Sequence, residues 1–249
     1  MNLNHNNSKK IFIVGSGRSG THWLGYILDD HPDITVSIEK KQIFNKVTEM
    51  ALNPNSRKDL FAKLLNLYNR ESLKCKTSYY ADKSHPNLWL VEALASIYPD
   101  AYFIGIQRNP YATVASMLKH GYEGVLKWHK EYTKYPIPNK FLGITSDNIK
   151  NYEDFPIAKK CALRWLAHKN RMDQIQKEEK YKLHVVKYED LITDTNNEVR
   201  KIKEFLEIKE DMSIPNVKKE SLNKWKEQLT KEEINQVYEI VGIGPDEYI

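Results

Sequence analysis

The chain has 249 residues, 41% hydrophobic and 29% charged, with ten glycines and ten prolines, a composition that allows one sizeable core and excludes disordered and fibrous classes. No run approaches the roughly 18 apolar residues of a membrane span, and the polar start MNLNHNNSKK lacks the apolar segment of a secretory signal, so one domain with cytoplasmic residence is expected. The formal net charge of +5 favours an anionic partner, yet the lysines are spread beside glutamates, as in KEFLEIKED, rather than concentrated as in a nucleic-acid binder.

Residues 1–9 are expected to form a disordered tail. Residues 11–14 form a short apolar, β-branched run ending at Gly15, and GTHWLGYILDDHP continues at near-helical spacing until His31-Pro32 stops it. This reads as strand, loop, helix. ITVSI (34–38) reads as a second strand, DLFAKLLNLYNR (59–70) as an amphipathic helix, SYYAD (78–82) as a third strand, and residues 86–98 as a helix. AYFIGIQ (101–107) is apolar almost throughout, as a strand buried on both faces of a parallel sheet would be, and Asn109-Pro110 opens another helix. LHVVKY (183–188) is the fifth strand. The alternation predicts an α/β domain, a parallel β-sheet flanked by helices, with ligand sites beyond the carboxyl ends of the strands.

Between these elements two stretches lack periodicity. Residues 120–155 are aromatic-rich and too long for a plain connection, which predicts a substrate-side insertion or lid whose Trp128, Tyr132 and Tyr135 either stack on an acceptor or pack. Residues 208–224 read as an irregular loop. Cys75 and Cys161 are too few for a disulfide framework and wrongly spaced for zinc, so no metal site is expected.

The loop GSGRSGTH carries the first chemical signal. A loop for nucleoside triphosphates needs glycine, four residues, glycine, then lysine and a hydroxyl residue that serves magnesium. Gly15 and Gly20 fit, but Thr21 holds the lysine place and His22 the hydroxyl place. The backbone amides and the helix N-terminus remain, so the loop suits an anion held without Mg²⁺. Arg18 adds a planar, permanent charge able to reach the outer oxygens. Arg108 and Ser116 in QRNPYATVAS stand at a strand end and two helical turns further on.

The combination SGRSGTHWL, RNPYATVAS, VVKYEDLITD and KKESLNKW, in this order, resembles the sulfotransferases that use 3′-phosphoadenosine 5′-phosphosulfate. The resemblance covers nearly the whole chain outside 120–155 and implies the P-loop-like fold of that family. It implies that Arg18, Ser19, Gly20, Thr21 and His22 hold the 5′-phosphosulfate. Trp23 would stack on adenine, with Tyr188 as a second adenine-pocket residue, and Arg108 and Ser116 would take the 3′-phosphate. Lys218 and Lys219 stand where the family often shows a basic pair closing over that phosphate, although Glu220 replaces the glycine that commonly follows. Arg18 stands where many soluble members have lysine.

The acceptor hydroxyl or amine, on a small molecule or saccharide, needs a base. Two residues are candidates. Glu39, seven residues past the His31-Pro32 turn, matches the catalytic glutamate of the carboxylate-using members. His85 in DKSHP resembles the histidine of the phenol- and steroid-sulfating members. Lys83 is the candidate for stabilising charge on the bridging oxygen. The alternatives are a P-loop kinase of a nucleoside or metabolite, disfavoured because no lysine follows Gly20, and a catalytically silent nucleotide-binding protein.

Overall fold

The computed structural model describes residues 8–120, 125–210, 212, 219–245, 247 and 248. Five strands form one parallel sheet: β1 (Lys9–Gly15), β2 (Ile34–Ile38), β3 (Tyr79–Lys83), β4 (Tyr102–Gln107) and β5 (Lys182–Lys187), in the order β2-β3-β1-β4-β5. Each strand expected from the sequence is present, with β3 and β5 displaced by one residue. β1 begins inside the stretch assigned to the tail, and Ser8 already donates to the Thr77 carbonyl at 2.7 Å.

Side-chain alternation on the central strand builds two layers. Ile11 and Ile13 face a core made with helix α1 (Thr21–Asp29) and with α8 (Tyr188–Thr193) and α9 (Thr195–Leu206). Phe12 and Val14 face the opposite core, made with α2 (Lys41–Leu52), α3 (Arg57–Leu73) and α4 (Val91–Ile97). Because both faces are covered, β1 is buried from Lys10 to Gly15 and reads as an unbroken apolar run. α4 is preceded by a short 3₁₀ turn, His85–Trp89, so the predicted helix over 86–98 is two pieces.

After β4 come α5 (Pro110–Lys119) and α6 (Val125–Lys130), and before β5 the long α7 (Ile157–Glu178). α5 starts where Pro110 fixes the first turn and Asn109 Oδ1 accepts from the Ala112 amide at 3.0 Å. α10 (Trp225–Gln228) and α11 (Lys231–Val241) pack on α5, and α11 also on α7. α11 begins with a capping box between Thr230 and Glu233. Neither α2 nor α7 was anticipated. In α2 the signal was available, as Ile43, Val47, Met50 and Ala51 recur at helical spacing. In α7 buried Arg164 and His168 interrupt the apolar stripe.

The described part of the 120–155 stretch has a core of its own. Phe141, Leu142, Ile144 and Tyr152 pack with Ala51 and Leu52 of α2, and Tyr132 and Tyr135 lie against this cluster. Asn139 ties it down, donating to the Leu52 carbonyl at 2.8 Å and accepting from the Leu142 amide at 3.1 Å. Gly143 has φ 74°, and a Cβ there would stand 2.4 Å from the Leu163 carbonyl oxygen, so only glycine lets this segment close on α7.

The interior is rich in neutral imidazoles. Burial pushes His85 down to about 4, His129 to about 3 and His168 well below its ordinary value. Burial also raises Asp82 to about 7, against hydrogen bonds from Ser84, Tyr68 and Asn87. Between about pH 4 and 6.5 the unfolded chain thus gains three protons on these histidines that the native state refuses, while native Asp82 keeps one that the unfolded chain releases. The unfolded state holds an excess of about two, so stability falls as pH falls, by up to roughly 3 kcal/mol per pH unit. Urea midpoints measured from pH 6.5 to 4.5 are expected to drop steeply. A flat profile would contradict the buried neutral imidazoles.

Candidate functional site

All five strands run the same way, so their carboxyl ends deliver side chains to one rim. Glu39 follows β2, Lys83 ends β3, the Gly15–Gly20 loop follows β1, Arg108 follows β4 and Tyr188 follows β5. The rim surrounds a cavity of about 600 Å³, at the point where the chain turns from β1 toward one edge of the sheet and from β4 toward the other. Its lining includes Arg18, Gly20, Thr21, His22, Trp23, Glu39, Lys83, His85, Arg108, Ser116 and Tyr188.

Gly20 sets the shape of the loop. It caps α1 at φ 95°, and a Cβ on it would stand 2.3 Å from the Tyr188 ring. No side chain caps α1, so its first-turn amides face the cavity side of the loop without a side-chain acceptor. Thr21, His22 and Trp23 are the first three helical residues. Ser19 lies outside the cavity lining, its Oγ buried without a partner and its amide donating to the Ser16 carbonyl at 3.3 Å, so its predicted contact with the anion is not formed by a free group here. Arg18 is also left-handed, at φ 74°.

On one side of the loop lies the guanidinium pair. Arg18 Nε donates to Ser116 Oγ at 3.1 Å, and Arg108 donates to the Arg18 carbonyl at 3.3 Å and the Ser221 carbonyl at 2.9 Å. Arg108 also stacks on the Tyr188 ring at 4.2 Å, and Tyr188 shares a 2.9 Å hydrogen bond with Ser221 Oγ. Trp23 meets Tyr188 edge-on, with centroids 6.3 Å apart. Arg108 Nε is buried and has no partner. Burial, and then Arg108, lower the pKa of Arg18. A second cavity of about 370 Å³ adjoins here, bordered by Arg18, Arg108, Ser116, Lys119, His120, Ser221 and Lys224. Arg108 and Ser116, two helical turns apart, thus meet through Arg18 and border the same cavities. His120, Ser221 and Lys224 were not anticipated; the last two flank the Lys218-Lys219 motif closely enough for its sequence to have pointed to them. Lys218 lies outside the described residues, and Lys219 opens a short 3₁₀ turn, Lys219–Leu222.

On the other side lies a four-residue polar cluster. The Lys83 ammonium, 1% exposed, donates to the Glu39 carboxylate and lies 2.9 Å from His22 Nδ1. His85 Nδ1 is 3.3 Å from Glu39 Oε1, and His22 Nε2 is 3.6 Å from Glu39 Oε2. Burial would raise the Glu39 carboxyl, but the hydrogen bond from His85, whose ring is charged only in acid, and the Lys83 ammonium hold it at about 2. Burial lowers Lys83 and His22 as well, the latter helped by Lys83. Glu39 is the carboxylate in the lining, 26% exposed, and it adopts φ 44°. His85 Nε2 is buried, unpartnered and close to Gly17, where a Cβ would come within 3.0 Å of it. Its free lone pair therefore faces the loop, and only Nδ1 faces Glu39. Phe44, Val125 and Trp128 supply an apolar wall beside this cluster.

Gly20→Ala would impose both a left-handed alanine and a clash with Tyr188, together costing about 2–4 kcal/mol. Thermal denaturation is expected to show a fall of several degrees, and a smaller fall when the same substitution is made in a Tyr188→Ala background, where only the backbone part remains. An unchanged melting temperature would refute the tight loop.

Comparison with known proteins is consistent with this geometry. A family model described as "Sulfotransferase domain" matches residues 8–237. A comparison with curated protein sequences gives no significant match. Among solved structures, a sulfotransferase from Alicyclobacillus acidocaldarius superposes with a TM-score of 0.53 at 16% identity, covering 94% of this chain and 96% of that one. The sulfotransferase domain of the curacin biosynthetic pathway gives 0.54 at 16% identity, over 94% and 98%. That of the Synechococcus PCC 7002 olefin synthase gives 0.58 at 13% identity, over 96% and 97%. At these identities the superpositions speak for the fold, and the family match over residues 8–237 carries the assignment: this chain belongs to the sulfotransferase domain family.

Proposed function

We propose that this sulfotransferase takes its sulfuryl group from 3′-phosphoadenosine 5′-phosphosulfate and passes it to a hydroxyl or amine of a small molecule or saccharide. The observation that supports the donor is the joined pair of cavities. One holds the free helix-start amides of Thr21, His22 and Trp23 with Arg18. The other gathers Arg108, Ser116, Lys119 and Lys224, and the unpartnered Arg108 Nε suits an anion's oxygen. Two anionic groups on one nucleotide fit two adjoining cationic cavities. Trp23 and Tyr188 line the first cavity and offer aromatic surfaces for an adenine. The Lys218-Lys219 pair would close on the second anion, since the turn that starts at Lys219 brings Ser221 onto both Arg108 and Tyr188.

In the transfer, a bond forms from the acceptor oxygen or nitrogen to sulfur. The bond from sulfur to the bridging oxygen breaks, and its electron pair stays on the 5′-phosphate. Lys83 and Arg18 stabilise that developing charge. The acceptor proton goes to Glu39, which is ionised, partly exposed and lodged in the cavity wall. His85 holds the carboxylate through Nδ1, since its other nitrogen faces Gly17. Lys83 links the two tasks. When an anion draws the ammonium toward the loop, Glu39 loses part of the charge that depresses its pKa and becomes a better base. Metal independence is part of the proposal, resting on Thr21 and His22 at the places where a triphosphate loop has lysine and a magnesium-binding hydroxyl.

Glu39→Gln is expected to bind adenosine 3′,5′-bisphosphate normally in calorimetry while turnover with a broad acceptor panel falls by about 10²–10⁴-fold. Unchanged turnover would transfer the base role to His85. Arg18→Ala and Arg108→Ala are each expected to weaken bisphosphate binding by at least about 30-fold. Turnover of magnesium-ATP with no transfer of labelled sulfate would replace this reading with a kinase. Bisphosphate binding without any transfer would leave a nucleotide-binding protein.

A further inference from the structure

Arg164 projects from α7 into the interior and is 0% exposed. Its Nε, Nη1 and Nη2 are all buried without a hydrogen-bond partner, and among the described residues no carboxylate pairs with it. Its guanidinium lies 4.8 Å from the Phe141 ring centroid and 5.6 Å from that of Trp128. Stacking offsets part of the burial of a permanent charge but satisfies none of its five donors. The surroundings are basic. His129 keeps one nitrogen on the Tyr152 hydroxyl at 2.7 Å and leaves Nε2 buried and unpartnered. His168 is turned the other way, its Nδ1 on the Arg164 carbonyl at 2.8 Å and its Nε2 accepting from Trp89 at 3.1 Å. The Arg164 charge adds to burial in depressing His85, His129 and His168, so these imidazoles are neutral and supply no counter-charge. A guanidinium, the one side chain that burial cannot neutralise, is left without an anion among the described residues.

The position of this charge relates it to the acceptor. Trp128, whose ring centroid lies 5.6 Å from the Arg164 guanidinium, also lines the cavity beside Glu39, together with His85, Phe44 and Val125. Arg164 lines neither cavity, so an acceptor group reaches it only once the half-buried Trp128 indole, the wall that it shares with the cavity, has turned aside. We infer that Arg164 receives an anionic group of the acceptor: the acceptor is a hydroxy or amino acid that lies against Trp128 and Phe44 and places its carboxylate on Arg164. This inference rests on the proposed transfer reaction. It makes Arg164 a specificity residue, since a neutral analogue would leave the buried charge unpaired and be rejected on that account.

The test uses the full chain and hydroxy acids of increasing length, among them 4-hydroxybenzoate, 3-(4-hydroxyphenyl)propionate and 4-hydroxybutyrate, each beside its primary amide. Calorimetry with adenosine 3′,5′-bisphosphate comes first; failure to bind ends the donor reading irrespective of Arg164. With binding established, the best acid is expected to exceed its amide in kcat/KM by at least about 10-fold, chiefly through KM. In Arg164→Met the preference disappears while bisphosphate affinity is kept, and Arg164→Lys retains part of it. Ligand-free Arg164→Met is expected to melt at or above the wild-type temperature, because an uncompensated charge has been removed. The inference is overturned if wild type uses acid and amide equally, or binds the bisphosphate and sulfates no acid. It also falls if Arg164→Met melts about 5 °C or more below wild type, which would reveal a counter-ion within the protein. Stabilisation of wild type but not Arg164→Met by chloride, without an acid preference, would make the anion a free halide and withdraw the acceptor role.

Discussion

The buried Lys83 ammonium and the Glu39 carboxylate that receives it depend on strand register. β2 and β3 pair so that Ile38 stands beside Lys83, which puts Glu39 one residue past the end of the sheet and directly over the ammonium. The backbone continues the ladder by one more bond, from the Glu39 amide to the Lys83 carbonyl at 3.1 Å. A cation so little exposed needs an anion at contact distance, and a carboxylate among two imidazoles and an ammonium needs that cation to remain charged. Sliding β2 by a single residue would turn Glu39 to the other face and leave both groups unpaired.

The same economy governs the loop after β1. The helix-start amides that follow it have no side-chain cap, and they stay aimed because Gly20 is wedged against Tyr188. Tyr188 in turn carries Arg108 on its face and Ser221 on its hydroxyl, so one aromatic ring couples the loop, the end of β4 and the C-terminal turn. The two cavities are therefore parts of one rigid frame rather than independent sites. In the proposed reaction this keeps the distance between the two anionic groups fixed by the fold, with little left to order at the moment of transfer.

The aromatic stretch between α5 and α7 gives the other half of the cavity its character. It is anchored to α2 and α7 by its own apolar cluster, and it presents Val125 and Trp128 at the cavity while enclosing Arg164 behind them. Tyr132 and Tyr135 pack within it, so of the three aromatic residues singled out from the sequence only Trp128 reaches the site.

The sequence by itself determined what is encoded in contiguous stretches: five apolar runs of strand length, a glycine-rich turn at the end of the first, and a set of motifs whose order is specific to one family. Chemistry that depends on a turn or a strand end is legible because the residues that make it are neighbours in the chain, which is why Arg18 to Trp23, Arg108 and Tyr188 were placed at one rim without coordinates. Only the tertiary structure decided which candidate faces which partner. It separated Glu39 from His85 in orientation, brought His120, Ser221 and Lys224 to the cavity beside Arg108, and exposed Arg164 as a charge without a counter-ion among the described residues. Those relations arise from register between strands and from packing across layers, where residues far apart in sequence meet, and no local pattern of residue types carries that information.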